Sequence, residues 1–235
     1  MIHPTSVVDT CHLGSRAEVG AYAVIGDGAM LGAGCVIHSN VVVGAGATVG
    51  DRTLVGDGAA PRVVKRGSAR EAFDLAAYEQ RVRADAAAGR CFICEIVAGA
   101  RDDHLVVHRD DVCIAFLARF ATLDGYVLVA PLEHRTGVVA DFTEDEYVEV
   151  QRRVHRIGRA LSGAVPTERL YVLSLGSMQG NAHVHWHVAA LPPGVPYAEQ
   201  QYAALMAEHG VVARDADTVA WIAGAIRAEL AAGGG

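Results

Sequence analysis

The chain has 235 residues, which suits one large or two small domains, and a formal net charge of −7 with histidine neutral. That acidic balance argues against a nucleic-acid or anionic-membrane surface, and no apolar run approaches the ~20 residues of a membrane span. The five cysteines are odd in number and lack a disulfide-like framework. Because such usage suits a reducing compartment and the start does not resemble a signal peptide, we expect a cytoplasmic protein.

An internal repeat occupies residues 1–62. From Val7 to Val55 an aliphatic residue recurs every six positions, and glycine follows most of these residues. A six-residue period is typical of hexapeptide repeats, which stack as a parallel β-helix. We therefore predict an all-β left-handed parallel β-helix over 1–62, serving in oligomerisation or docking.

The opening Ile2-His3-Pro4 and the residues up to Asp9 resemble the start of hexapeptide-repeat acyltransferases of the UDP-N-acetylglucosamine acyltransferase type. That resemblance implies a histidine general base in the coils, and His38 is the only coil histidine after the first turn. Three coils without an excursion loop offer little surface for an acyl donor. Acyltransferase activity is therefore the less favoured alternative for this region.

After the repeat the pattern changes to mixed helix and strand. Residues 63–90 are interpreted as a connector with a helix from about 68 to 88. Downstream, the sequence predicts a hairpin over 105–117, strands at 126–130 and 169–175, and a long helix behind the capping box Thr143-x-x-Glu146. Two more helices are predicted at 197–209 and 217–230. This mixture predicts an α+β domain with an antiparallel sheet over 91–235.

The segment 183–188 alternates histidine with a large apolar residue, which is the period of a half-buried strand. Such a strand would place His183, His185 and His187 on one face, with neighbours about 7 Å apart. Imidazoles titrate near neutral pH, so this row suits metal binding, phosphate binding or nucleophilic catalysis.

The triple-histidine pattern, together with a preceding Cys-x-x-Cys, hairpin, Pro-x-x-His and Gly-rich turn in that order, resembles the histidine-triad (HIT) family over roughly residues 75–230. The resemblance implies a nucleotidyl hydrolase or transferase acting on a nucleotide-like small molecule. It also implies that His185 attacks the α-phosphorus to form a nucleotidyl-histidine, which water or another acceptor then opens. His187 would hold the non-bridging oxygens or help to protonate the leaving group.

The resemblance also leads to candidate substrate-binding residues. Gln179 and Asn181 lie in the Gly-rich turn and are expected to donate to the phosphate. Many family members place an Asp or Asn for the ribose hydroxyls where this chain has Ala118, which cannot accept those hydrogen bonds. The next residue, Arg119, is a candidate for recognising a different group. The alternative to an enzyme is thus a non-catalytic, zinc-stabilised nucleotide-binding module.

Four further positions match the zinc ligands of zinc-bearing family members: Cys91, Cys94, His134 and His183. Two thiolates and two imidazoles suit a closed, tetrahedral, structural zinc site. Free thiols beside unmetallated histidines and a redox pair are the alternatives.

The two regions imply self-association. Histidine-triad proteins usually dimerise through the sheet, and hexapeptide helices tend to trimerise. If both interfaces form in one particle, closed symmetry predicts a hexamer of three dimers.

Overall fold

A computed structural model describes residues 2–38, 41–51, 53–56, 70–101 and 103–233. The chain divides into two compact units, Met1–Arg66 and Gly67–Gly235. The expected domain boundary at 62–63 and the start of the connector, 63–69, lie outside the described residues. Over the described ranges, no helix combines the length and apolar character needed to cross a membrane.

The described part of the first unit contains short parallel strands of two residues each. They are β1 (Val7–Val8), β2 (His12–Leu13), β3 (Glu18–Val19), β4 (Val24–Ile25), β5 (Met30–Leu31), β6 (Val36–Ile37), β7 (Val42–Val43), β8 (Thr48–Val49) and β9 (Leu54–Val55). They form three sheets with the orders β1-β4-β7, β2-β5-β8 and β3-β6-β9. A strand begins about every six residues, and each of β1 to β6 pairs with the third strand after it, as β2 does with β5 through His12 and Met30.

The repeated apolar positions form the core of this unit. Ile25 and Ile37 are fully buried, as are the small residues Ala23, Ala29 and Cys35. The six-residue period therefore identifies correctly which side chains face inward.

The fold class predicted for this region is wrong. The structure shows small, separate parallel sheets in the described part of the first unit, and no closed solenoid, so an all-β left-handed parallel β-helix is not shown. The period determines which side chains are buried and which strands are neighbours. Closure and hand depend instead on the backbone path between hexads, which the repeated side chains do not specify.

The second unit contains a five-stranded antiparallel sheet with the order β11-β12-β13-β15-β14. Its strands are β11 (Val106–Arg109), β12 (Cys113–Leu117), β13 (Gly125–Pro131), β14 (Arg169–Leu173) and β15 (Trp186–Leu191). A separate antiparallel pair joins β10 (Arg70–Glu71) to β16 (Val211–Val212). The predicted hairpin and antiparallel sheet are thus observed.

The helices of this unit are α1 (Leu75–Ala87), α2 (Phe92–Val97), α3 (Glu144–Ala164), α4 (Tyr202–Leu205) and α5 (Ala216–Ala232). The capping box at the start of α3 is present, with Thr143 and Glu146 each bonded to the other's backbone N–H. The single helix predicted at 197–209 is wrong, because two 3₁₀ turns and the short α4 occupy that stretch. Gln201 has a φ of 55°, in the left-handed region, and this interrupts the helix.

The two faces of the sheet have different neighbours. One core joins α3 and α5 to the sheet through residues that include Val127, Trp186 and Val188. The opposite core contains Leu128 of β13 and Ile93 of α2. His187 pairs with Leu128 across the strands, and directly paired residues point to the same face. The imidazole of His187 therefore lies on the α2 side of the sheet.

Candidate active site and metal centre

The triad segment is only partly a strand. β15 begins at Trp186, so His187 lies within the strand and His183 and His185 precede it. Here the backbone N–H of Val184 donates to the carbonyl of Arg135 over 2.7 Å. The predicted strand over 183–188 is therefore too long at its start, and the three histidines have separate surroundings.

The backbone of its own segment orients the ring of His185. Its Nδ1 lies 2.7 Å from the carbonyl oxygen of His183. Because a carbonyl can only accept, Nδ1 carries the proton and Nε2 carries the lone pair. The residue is 4% exposed, and this burial lowers the pKa of His185. A neutral imidazole with a free Nε2 lone pair results.

Tyr126 contacts the ring of His187. The Tyr126 hydroxyl lies 3.1 Å from His187 Nδ1, and burial raises the pKa of Tyr126 to about 12. Burial, followed by the nearby His185, lowers the pKa of His187 to about 4. The neutral tyrosine O–H can thus donate to Nδ1, which places the His187 proton on Nε2.

That Nε2 atom of His187 is buried and has no partner of good hydrogen-bond geometry in the described part of the chain, although the Leu175 backbone acts on the ring and raises its pKa against the larger effect of burial. Its ring centroid is 4.8 Å from that of His185. Buried polar atoms are nearly always hydrogen-bonded. The geometry therefore places the His187 Nε2–H donor beside the Nε2 lone pair of His185, where an incoming oxyanion would satisfy the donor.

The four predicted metal ligands come together. One ligand atom from each of Cys91, Cys94, His134 and His183 lies within 4.8 Å of the others. The His183 Nδ1 atom is 3.6 Å from Cys91 Sγ and 3.5 Å from Cys94 Sγ. In a tetrahedral site with Zn–S of about 2.3 Å and Zn–N of about 2.1 Å, sulfur and nitrogen ligands are about 3.5 Å apart. The arrangement is compatible with zinc.

Hydrogen bonding and burial favour a cation in this cluster. His183 Nε2 donates to the Pro131 carbonyl over 3.0 Å, so the Nδ1 lone pair points toward the thiols. Burial, followed by the neighbouring Cys91 thiol, raises the pKa of Cys94 to about 11, while burial lowers the pKa of His183 to about 4. A bound divalent cation would stabilise the deprotonated thiolates, which burial otherwise disfavours, and it would accept the lone pair of the neutral imidazole. The donor set therefore fits zinc.

A second cluster, of His108, Asp110 and Cys113, is explained without a metal. Asp110 accepts a hydrogen bond from Arg153 Nε over 3.0 Å and another from the Cys113 backbone over 2.8 Å. These donors hold the pKa of the Asp110 carboxyl well below its usual range, although burial acts in the opposite direction.

The predicted substrate residues are not joined to the triad side chains by hydrogen bonds among the residues that the structure describes. Arg119 forms an ion pair with Asp103 and lies over the Phe120 ring, 5.4 Å from its centroid. Gln179 is exposed, and Asn181 has a φ of 55°, in the left-handed region. Their roles remain predictions.

Sequence reasoning missed two groups that the structure brings to the site. Tyr126 binds His187, and the Ser174 hydroxyl donates to the His185 carbonyl over 2.8 Å. Tyr126 pairs with Ala189, so its contact with His187 is diagonal across the two strands. The strand pattern could place Tyr126 on a face, but only the register could identify its partner.

Comparisons with known proteins fit this geometry. A family model described as the HIT domain matches residues 100–192, which include His134 and the triad but not Cys91 or Cys94. A histidine triad nucleotide-binding protein from Sulfolobus tokodaii, described as hypothetical, shares the fold with a TM-score of 0.50, 18% identity, and coverage of 60% of this chain and 93% of its own. A zinc-bound histidine triad family protein from Mycobacterium smegmatis aligns with a TM-score of 0.48, 20% identity, and coverage of 60% and 94%. An uncharacterized HIT-like protein from Saccharolobus solfataricus is 30% identical over 101 residues, which are 42% of this chain and 71% of that protein. With this identity and coverage, the chain belongs to the HIT family.

Proposed function

We propose that the protein is a nucleotidyl hydrolase or nucleotidyltransferase that acts at the α-phosphorus of a nucleotide-like substrate through a covalent intermediate on His185. The observation that carries this proposal is the neutral His185 ring with its Nε2 lone pair, whose centroid lies 4.8 Å from that of His187, the ring with the buried Nε2.

In the first step His185 Nε2 uses its lone pair to form a bond to the α-phosphorus. The bond from phosphorus to the leaving group breaks, and the leaving group departs with that electron pair. The nucleotidylated ring becomes cationic, and its Nδ1–H bond to the His183 carbonyl stabilises this charge. His187 Nε2–H donates to a phosphoryl oxygen, where negative charge develops.

In the second step a water molecule or another acceptor attacks phosphorus, and the P–Nε2 bond breaks. The electron pair returns to Nε2, and the acceptor releases its proton to solvent. His185 regains its starting state. Splitting the displacement into two steps lets one nucleophile serve both hydrolysis and transfer.

Zinc would have a structural role in this scheme. Cys91, Cys94, His134 and His183 would hold it and thereby join the start of α2 and the end of β13 to the triad segment. All four ligand positions would come from the protein, so the ion would supply rigidity rather than an activated water molecule.

The turn after β14 supplies the proposed phosphate donors. Gln179 and Asn181 would donate to the phosphoryl oxygens, and Arg119 would recognise the part of the substrate beside Ala118. Since Ala118 has no side-chain acceptor for ribose hydroxyls, and its carbonyl already accepts from Arg214, we propose that substrate selection at this position differs from that of family members with Asp or Asn.

Mass spectrometry of the intact protein tests the proposal. The protein is incubated with adenylyl phosphoramidate or a dinucleoside polyphosphate and quenched within the first turnovers. We expect a mass gain of one nucleotidyl group in the wild type and none in His185→Asn. An adduct retained in His185→Asn would contradict the assignment of the nucleophile.

Ala118 favours a second candidate, a zinc-stabilised nucleotide-binding module without catalysis. The same experiment separates the two candidates when it is combined with calorimetric binding. Nucleotide binding with neither adduct nor turnover across a broad nucleotide panel would support the module.

Tyr126→Phe is expected to lower kcat about 3- to 10-fold, because the lost hydroxyl hydrogen bond contributes about 0.5–1.5 kcal/mol. The phenylalanine ring keeps the packing of Tyr126, so stability should change little. Steady-state kinetics would measure the effect, and NMR of the His187 ring nitrogens should show a change of tautomer. An unchanged tautomer would contradict the role assigned to the hydroxyl.

We also propose a dimer through the sheet of the second unit. Among the residues that the structure describes, the edge strand β14 pairs on one side only, with β15, and its Val172 is 49% exposed. The predicted trimer and hexamer depended on a β-helix and are not proposed.

A further inference from the structure

Helix α1 precedes the family match at residues 100–192, yet it contacts the two loops that hold the candidate substrate residues. One loop follows β12 and contains Arg119. The other is the turn after β14, which contains Gln179 and Asn181. A helix that contacts both loops can control how they are placed around the triad.

Aromatic rings join Phe73, just before the N-cap of α1, and Tyr78, within α1, to the loop after β12. The Phe120 ring centroid is 5.1 Å from that of Phe73 and 5.5 Å from that of Tyr78. The Arg81 guanidinium lies 5.7 Å from the Tyr78 centroid and 5.8 Å from that of Phe120. Such ring and cation contacts add to the stabilisation that burial alone provides. They fix α1 beside Arg119.

One turn further along α1, Val82 lies against Gly180, which is buried. A Cβ added to Gly180 would lie 2.3 Å from Val82 Cγ1, and the next nearest atoms are the Val82 carbonyl oxygen and carbon at 3.4 and 3.5 Å. The φ of Gly180 is not in the left-handed region. The close approach of the valine methyl, and not the backbone conformation, therefore requires glycine here.

Gly180 is the residue between Gln179 and Asn181. Its N–H donates to the Ser177 carbonyl over 3.1 Å and closes the turn. The left-handed φ of Asn181 then directs the chain toward His183. A shift of Gly180 would therefore move both proposed phosphate donors.

We propose that α1 is a positioning element of the active site, in which Val82 seated on Gly180 sets the turn 176–182 at the distance that phosphate binding requires. The kinetic part of this inference rests on the proposed function. Val82 and Gly180 are positioning residues, since they act through Gln179 and Asn181 and do not touch the reacting atoms. On this proposal, the connector between the repeat and the HIT domain contributes a helix that positions the site, in addition to linking the two regions.

A reciprocal size exchange tests the contact. Gly180→Ala is expected to lower kcat/KM about 10- to 100-fold, mainly through KM, because displacements of about 1 Å cost this much in positioned sites. Val82→Ala should lower it less. The double variant removes the methyl that the new Cβ would meet, so its kcat/KM should recover to within about 3-fold of that of Val82→Ala. Such non-additivity is typical of residues in contact.

Gly224→Ala in α5 is the matched control, because a Cβ there would meet nothing within 4 Å. Hydrogen exchange of the amides of 176–182 supplies a readout independent of activity. We expect faster exchange in Gly180→Ala, reversal in the double variant and no change in Gly224→Ala. If Gly180→Ala does not fold, the double variant should fold and behave like Val82→Ala.

The outcomes separate this inference from the proposed function. A wild-type protein without nucleotide turnover would defeat the proposed function, and exchange would still decide whether α1 sets the turn. Unchanged exchange in Gly180→Ala would overturn the inference. A double variant as impaired as Gly180→Ala, or altered exchange with wild-type kcat/KM, would also overturn it.

Discussion

His185→Asn is expected to lower turnover by about 10⁴-fold or more, since loss of a nucleophile removes the covalent route altogether. The asparagine side-chain N–H can still donate to the His183 carbonyl that His185 Nδ1 now contacts. The segment should therefore keep its conformation, and the nucleotide should bind with an affinity within a few-fold of the wild type.

Single-turnover kinetics and calorimetry would measure this pair of effects. His155→Asn is a matched control, because His155 is exposed on α3 and should tolerate the change. Turnover in His185→Asn above about 1% of the wild-type rate would assign the nucleophile elsewhere, since true nucleophile losses are far larger.

The dependence of kcat/KM on pH tests the protonation state of the same site. The attacking lone pair belongs to His185, and burial lowers the pKa of that ring, so it stays neutral below the ordinary histidine pKa of about 6.5. We expect the acidic fall of kcat/KM to lie below that value.

Cys94→Ser is expected to remove the bound metal and lower the melting temperature of the second unit by about 6–20 °C. Structural zinc contributes about 10–16 kcal/mol of binding free energy in small zinc domains. Losing only about 3–5 kcal/mol of this lowers Tm by roughly 2–4 °C per kcal/mol in a domain of this size. Cys94 Sγ lies near both His134 and His183, so its loss should open the cluster. Chelation should have the same effect on Tm, because it removes the same ion.

Elemental analysis and calorimetry would measure metal content and Tm, with one equivalent of zinc expected in the wild type. Cys11→Ser is the control, because Cys11 belongs to the first unit and not to the cluster. A zinc-free protein with the same Tm before and after chelation would show that the four side chains are not a metal centre.

Local patterns accounted for much of the second unit. The capping box predicted the start of α3, because Thr143 and Glu146 interact within one turn of helix. Alternation placed Trp186 and Val188 in one core and His187 on the other face. The resemblance to zinc-bearing family members predicted that Cys91, Cys94, His134 and His183 form a cluster, and the structure brings them together.

Other features could not be read from such patterns. Helical propensity over 197–209 gave no sign that the chain reverses its φ at Gln201. In the first unit the period of six identified the buried residues, but it could not decide closure or hand.

By itself, the sequence determined the faces of strands and helices, because these depend on residue spacing within single segments. The ligand set of the metal cluster came from the resemblance to zinc-bearing family members. Only the tertiary structure decided that Tyr126 orients His187, that the His183 carbonyl sets the tautomer of His185, and that Val82 requires glycine at 180. Each of these contacts depends on strand register, on the local backbone path or on helix placement, and no residue spacing specifies those.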